Sequence, residues 1–170
     1  MQVSEAVRTV LAVRAYQDKA VSHDSVRRIL EAGRLTASGM NRQPWRFIVV
    51  TDREMLQKLG AAISSGPYVA DAALAIVVVI ERTRLAVSDG SRAIQSMILA
   101  AWEEGIGSNW AGFMGPEEVK ALLDIPDEMD VLGTLPLGYP VEEIGQGKKK
   151  RKPLAEVAHA ERFGRPFSAG

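Results

Sequence analysis

The chain has 170 residues, 46% hydrophobic and 25% charged, a balance that excludes disordered and collagen-like classes and allows one domain with a substantial core. Twenty-one Lys and Arg against 21 Asp and Glu give a formal net charge of zero, which argues against a general nucleic-acid or membrane-surface binder. There is no cysteine, so disulfides, thiol catalysis and cysteine-ligated metal centres are out, and the two histidines, His23 and His159, make no metal site by themselves.

Residues 2–12 read as a short helix with Val3, Ala6, Val7, Val10 and Leu11 on one stripe, followed by a connector over 16–20. Ser22 is a fitting N-cap for a second helix over 22–36, with Val26, Ile29, Leu30 and Leu35 as its apolar positions. Residues 36–44, TASGMNRQP, are a loop that leads into a strand at 45–50. Asp52 caps a helix through about Ile63, and SSGP at 64–67 is a turn. The unbroken, mostly β-branched run Leu74 to Ile80 predicts a strand buried on both faces.

The next helix is expected from about Asp89 to Glu104, ending at Gly105 as a C′ glycine. It is apolar around most of its circumference and should be central. Ser108 to Phe113 is expected to be extended. Gly115-Pro116 should open a short helix over EEVKALLD, with proline at its first position, and Val131 to Leu137 reads as a strand. A basic loop over 145–152 precedes a last helix from Pro153 over PLAEVAHAERF. Glu5 and Arg8 interrupt the N-terminus, and the longest apolar run, Ala72 to Ile80, has nine residues where a spanning helix needs about 20. A cytoplasmic protein with no membrane or nucleic-acid partner is therefore expected.

The familiar local motifs fail. Gly105-Ile106-Gly107 lacks a third glycine and follows a helix rather than a strand, and Gly147-Lys148 has Glu142 where a phosphate loop needs glycine. Three segments remain. Ser38-Gly39-Met40-Asn41-Arg42-Gln43-Pro44-Trp45 combines small residues, which let a flat ligand approach the backbone, with amides suited to a heterocycle edge. Read alone, it is equally a plain helix-to-strand loop. The stretch from Gly105 to Phe113, GIGSNWAGF, places backbone amides among Trp110 and Phe113, or is simply a tight turn. The run Lys148 to Lys152 carries five positive charges, either a solvated face or a phosphate site that Arg14 could join.

In order and spacing, VRAYQDKAVS, ASGMNRQPWRFIVV, IQSMILAAWEEGIGSNWAGF, LPLGYP and KKKRKPLAEVA resemble the nitroreductase family of FMN-dependent oxidoreductases. The resemblance implies an α+β fold, a central mixed β-sheet flanked by helices, within an interlocked homodimer holding two FMN sites at the subunit interface. Residues 1–170 would form a single FMN-binding domain whose C-terminal extension, about 145–170, reaches the partner subunit. By the same resemblance, Arg14, Lys149 and Arg151 contact the FMN phosphate, and Ser38, Gly39 and Asn41 pack on the flavin from the partner chain. Trp110, Ala111 and Gly112 border the ring near N5. Where the family often carries Arg-Arg-Ser, this chain has Val10, Leu11 and Ala12, and Ala37 replaces a common proline. The stretch from Ile63 to Asp89 leaves little room for a substrate lid.

The implied activity is a ping-pong oxidoreductase, with NADH or NADPH as donor and a small electron-poor acceptor such as a nitroaromatic, a quinone or free flavin. Such chemistry belongs to the flavin, so neither a catalytic side chain nor a metal is expected. A non-catalytic FMN-binding carrier or sensor is the alternative.

Overall fold

The computed structural model describes residues 1–115, 117–143 and 149–167. Six helices and four strands alternate along it: α1 Val3–Thr9, α2 His23–Arg34, β1 Trp45–Val50, α3 Arg53–Ala62, β2 Leu74–Glu81, α4 Ala86–Glu103, β3 Gly107–Ser108, α5 Glu117–Leu122, β4 Met129–Gly138 and α6 Leu154–Val157. The sheet order is β1-β2-β4-β3. All three strand pairings are antiparallel, and a parallel bridge between Ala12 and Ser108 makes the sheet mixed.

The expectation for the apolar run holds, since β2 is buried on both faces. Leu74, Ile76, Val78 and Ile80 pack with Ile29 of α2 and with Ile94 and Met97 of α4. Ala75, Val77 and Val79 point the other way, into a second cluster with Leu56 and Leu59 of α3. Each fully buried Val, Leu or Ile contributes about 1.5–3 kcal/mol, so this strand is a major local source of stability. A bulge sits on β4 at Leu132, because Val78 pairs with Gly133 and Val79 with Val131. Gly90 lets α4 lie directly on that bulge: a Cβ there would come within 2.5 Å of Leu132 Cδ2.

The caps follow the sequence. Ser22 Oγ accepts from Ser25 N at 3.1 Å, and Asp52 Oδ1 accepts from Met55 N at 2.9 Å. Gly105 ends α4 with φ +74°. Three expectations need correction. The first helix stops at Thr9, because Val10 to Arg14 leaves it to run along β3. The central helix starts at Ala86, so Asp89 lies inside its first turn and not at its start. The last helix is a single turn, because Ala158 is already extended and His159 pairs with Pro166. Pro116 and residues 145–148 of the basic loop lie outside the described residues. None of the described helices is long and apolar enough to cross a membrane.

The C-terminal end of α4 is tied to α2 by Arg28, whose Nε donates to Glu104 at 2.6 Å. Hydrogen bonds from Arg28 and then Ser25 hold the Glu104 carboxyl down at about 2, from the ordinary 4.5. The two side chains are 60% and 23% exposed, so solvent screening limits the pair to about 1 kcal/mol. A depressed carboxyl stabilises the fold above its unfolded value and loses that contribution as pH falls toward its folded value. Urea titrations should show Glu104→Gln less stable than the parent at pH 7, with the gap closing as pH falls from about 4.5 to 2.

Candidate functional site

The site begins where the chain leaves α1. Residues 10–17 run back along the edge of the sheet and are pinned at several points. Val13 N donates to Ser108 O at 2.9 Å, and Gln17 N donates to Tyr139 O at 2.8 Å. The buried Tyr16 hydroxyl donates to Val13 O at 2.8 Å, and desolvation pushes its pKa up, so it remains a neutral donor. This close passage requires Gly107, where a Cβ would stand 2.2 Å from Val13 Cγ2.

Between this arm, α4 and the segment after β3 lies a cavity of about 1140 Å³. Val10, Leu11 and Ala12 form an apolar wall, Ser108 to Trp110 form another, and Arg8, Lys149 and Arg151 supply charge. Among the described residues no carboxylate lines it. Lys149 Nζ donates to Val7 O at 2.7 Å, a carbonyl in the last turn of α1, where the helix dipole favours a cation. Burial, and then the charge of Arg151, push the Lys149 pKa down. Cations gathered without a compensating acid make a receptor for an anion, and a phosphate monoester fits both the charge and the donors.

Trp110 is half-buried in the cavity wall, and its indole lies over Gly133, where a Cβ would fall 2.1 Å from Nε1. That Nε1 is buried without a hydrogen-bond partner, as is the nearby Thr134 hydroxyl. The Ala111 amide and carbonyl both bond to Thr134, at 2.9 and 2.8 Å, so the sheet fixes this segment. Gly112, with φ +62°, donates its amide to Ser65 Oγ at 3.2 Å.

Lys149 and Arg151 are therefore brought together with Trp110, and Ala111 and Gly112 follow directly. Arg14 does not join them in that cavity. Its guanidinium lies 5.8 Å from the Tyr68 ring centroid, in a neighbouring cleft of about 580 Å³ with Lys19 and Arg53. Asn109 on the main cavity donates its side-chain amide to the hydroxyl of the same Tyr68.

Ser38, Gly39 and Asn41 lie on a loop at the N-terminal end of α4 and do not line the cavity with Lys149. The buried Asp89 carboxylate, 1% exposed, holds this loop by accepting from Gly39 N at 3.1 Å to each oxygen, while Arg92 neutralises it. Ser38 Oγ accepts from Gln43 N at 2.9 Å. Met40, Asn41 and Gln43 all have left-handed backbones, with φ 52°, 54° and 50°. Only Asn favours that region, so the loop stores strain that Asp89 and Ser38 restrain.

Sequence reasoning missed Arg8, Asn109 and Asp89. Asn109 sat within a segment already singled out, and a carboxylate in the first turn of a helix reads first as a dipole partner. Arg8 carried the one available signal, a cation set beside the apolar stripe of α1.

The nitroreductase family model matches residues 8–87 and 80–139. A Methanothermobacter thermautotrophicus protein, provisionally named as an NADH dehydrogenase/NAD(P)H nitroreductase, is 36% identical over 154 residues, covering 85% of this chain and 81% of that protein. A solved nitroreductase family protein from Clostridium difficile 630 superimposes with TM-score 0.85 at 28% identity, covering 96% of this chain and 100% of that one. The structure of an FMN-dependent nitroreductase from Clostridium difficile R20291 gives TM-score 0.86 at 25% identity, covering 95% and 100%.

Replacing Asp89 with Ala leaves the Gly39 amide and Arg92 without their shared acceptor. The expected cost is about 2–3 kcal/mol in urea unfolding, with increased hydrogen exchange across 38–43.

Proposed function

The chain belongs to the nitroreductase family of oxidoreductases, and from that premise we propose that it is an FMN-dependent NAD(P)H oxidoreductase working by a ping-pong mechanism. The observation that carries this reading is the cavity lined by Lys149 and Arg151 with no carboxylate among the described residues. The FMN-dependent nitroreductase from Clostridium difficile, similar over nearly the whole chain, supports the choice of flavin.

Bound FMN would supply the redox chemistry, accepting two electrons and a proton from NAD(P)H and passing them to a small electron-poor acceptor such as a nitroaromatic, quinone or free flavin. In this proposal Lys149 and Arg151 hold the phosphate, Lys149 being preset by its bond to the α1 carbonyl. Trp110, Ala111 and Gly112 border the ring and keep water from one side. The ties from Ala111 to Thr134 and from Gly112 to Ser65 give that border a fixed position. Arg14 is proposed as a further contact to the FMN phosphate, although in the isolated chain its guanidinium rests on the Tyr68 ring outside the cavity that Lys149 and Arg151 line.

Ser38, Gly39 and Asn41 are assigned to the ring of the partner subunit in a homodimer. Their separation from Lys149 within one chain supports this. So do the apolar side chains that solvent meets in the isolated chain, among them Met40 and Phe163, the latter 94% exposed. The described part of the C-terminal extension, 149–167, carries Leu154, Val157, Phe163 and Phe167 in exposed positions, as a segment packed on a second copy would.

Protein purified or reconstituted with FMN should be yellow and should bleach anaerobically with NADH or NADPH. Failure to bind FMN overturns the proposal. Binding without bleaching by either donor, or without reoxidation by any acceptor, assigns the protein instead to flavin carriage or sensing. The double substitution of Lys149 and Arg151 to Ala should weaken FMN at least about tenfold, roughly 1.4 kcal/mol, in a fluorescence titration.

A further inference from the structure

We infer that Arg8 is a third phosphate-binding cation, taking over in this chain the charge that Val10, Leu11 and Ala12 do not provide; this rests on the flavin reading above. Those three residues present only an apolar wall to the cavity. Arg8 precedes them on the last turn of α1 and reaches the same cavity as Lys149 and Arg151.

The donors of the three cations are committed differently. Lys149 donates one hydrogen bond to Val7 O, and Arg151 Nη1 donates to Lys150 O at 2.9 Å. Arg8 makes no side-chain hydrogen bond or ion pair among the described residues, so none of them holds its guanidinium fork away from phosphate oxygens. Arg8 also sits in the last turn of α1, where the helix dipole favours a cation.

Carboxylates compete for it. Arg8 also borders a smaller cleft, about 440 Å³, lined by Glu5, Glu142 and Glu143. None of them is ion-paired with Arg8, although Glu5 is only three residues away on the same helix, where such a pair forms readily. Arg8 thus stands on the ridge between an acidic cleft and a cationic cavity. A phosphate in the cavity draws it to one side.

The test compares FMN with riboflavin, which has the same ring and ribityl chain but no phosphate. Fluorescence titrations would use the full-length parent, Arg8→Ala and Arg151→Ala, with thermal melts confirming that each is folded. Arg8→Ala should weaken FMN roughly tenfold, leave riboflavin unchanged, and flatten the dependence of FMN affinity on salt. Unchanged FMN affinity in Arg8→Ala, with a loss in Arg151→Ala, overturns the role of Arg8 and leaves the flavin reading intact. Equal weakening of FMN and riboflavin also overturns it, since the effect would then be on the shape of the cavity. If the parent binds neither flavin, the flavin reading fails and the assignment of Arg8 fails with it.

Discussion

Residues 74–80 of strand Leu74–Glu81 have no face left for water, and that constraint arranges everything around them. Both sets of alternating side chains need an apolar cover, so helices must lie on both surfaces of the sheet. α2 and α4 cover one surface, and α3 and its following turn cover the other. With β1 on one side of it and β4 on the other, the strand also cannot be an edge. The edge where a ligand can approach falls at the two-residue β3, and the N-terminal arm is laid along that edge by Val13 and Ala12.

The bulge on β4 connects this scaffold to the site. One extra residue, Leu132, turns into the core beneath Gly90. Its neighbours Gly133 and Thr134 then accommodate the Trp110 indole and hold Ala111 by two backbone hydrogen bonds. Helix packing, strand register and the cavity wall are thus set by four consecutive residues of one strand, 131–134. A substitution at Gly133 would reach the cavity and the core together.

Much of the fold was legible because its signals are local. A nine-residue apolar run, a serine and an aspartate at helix starts, and a glycine after a long helix each state their own conformation. The errors arose where a partner distant in sequence decides. Asp89 reads as the start of the central helix, yet its carboxylate accepts from Gly39, fifty residues earlier, and the helix begins a turn sooner. The apolar stripe through Val10 and Leu11 reads as helix, yet Val13 is drawn to Ser108 and the chain straightens. In the site, residue types were readable and grouping was not. Lys149 and Arg151 are close in sequence and meet at the cavity, whereas Arg14 pairs with Tyr68 and is held in a second cleft.

Where the charge is mounted changes how an anion is held. Cations on a short, pinned arm would be ordered before any ligand arrived. Here that arm is apolar, and the charge sits on long side chains from α1 and from the segment after β4. Immobilising an Arg or Lys side chain costs up to about 2 kcal/mol in lost rotamer freedom, and this cost recurs for each cation recruited. Lys149 avoids part of it through its bond to Val7 O, at the expense of one committed donor, while burial and the charge of Arg151 lower its pKa. The apolar wall offsets the rest only for a ligand that also presents a hydrophobic surface. An isolated small anion would meet the ordering cost with nothing to set against it, whereas a phosphate attached to a large flat ring gains from both halves of the cavity.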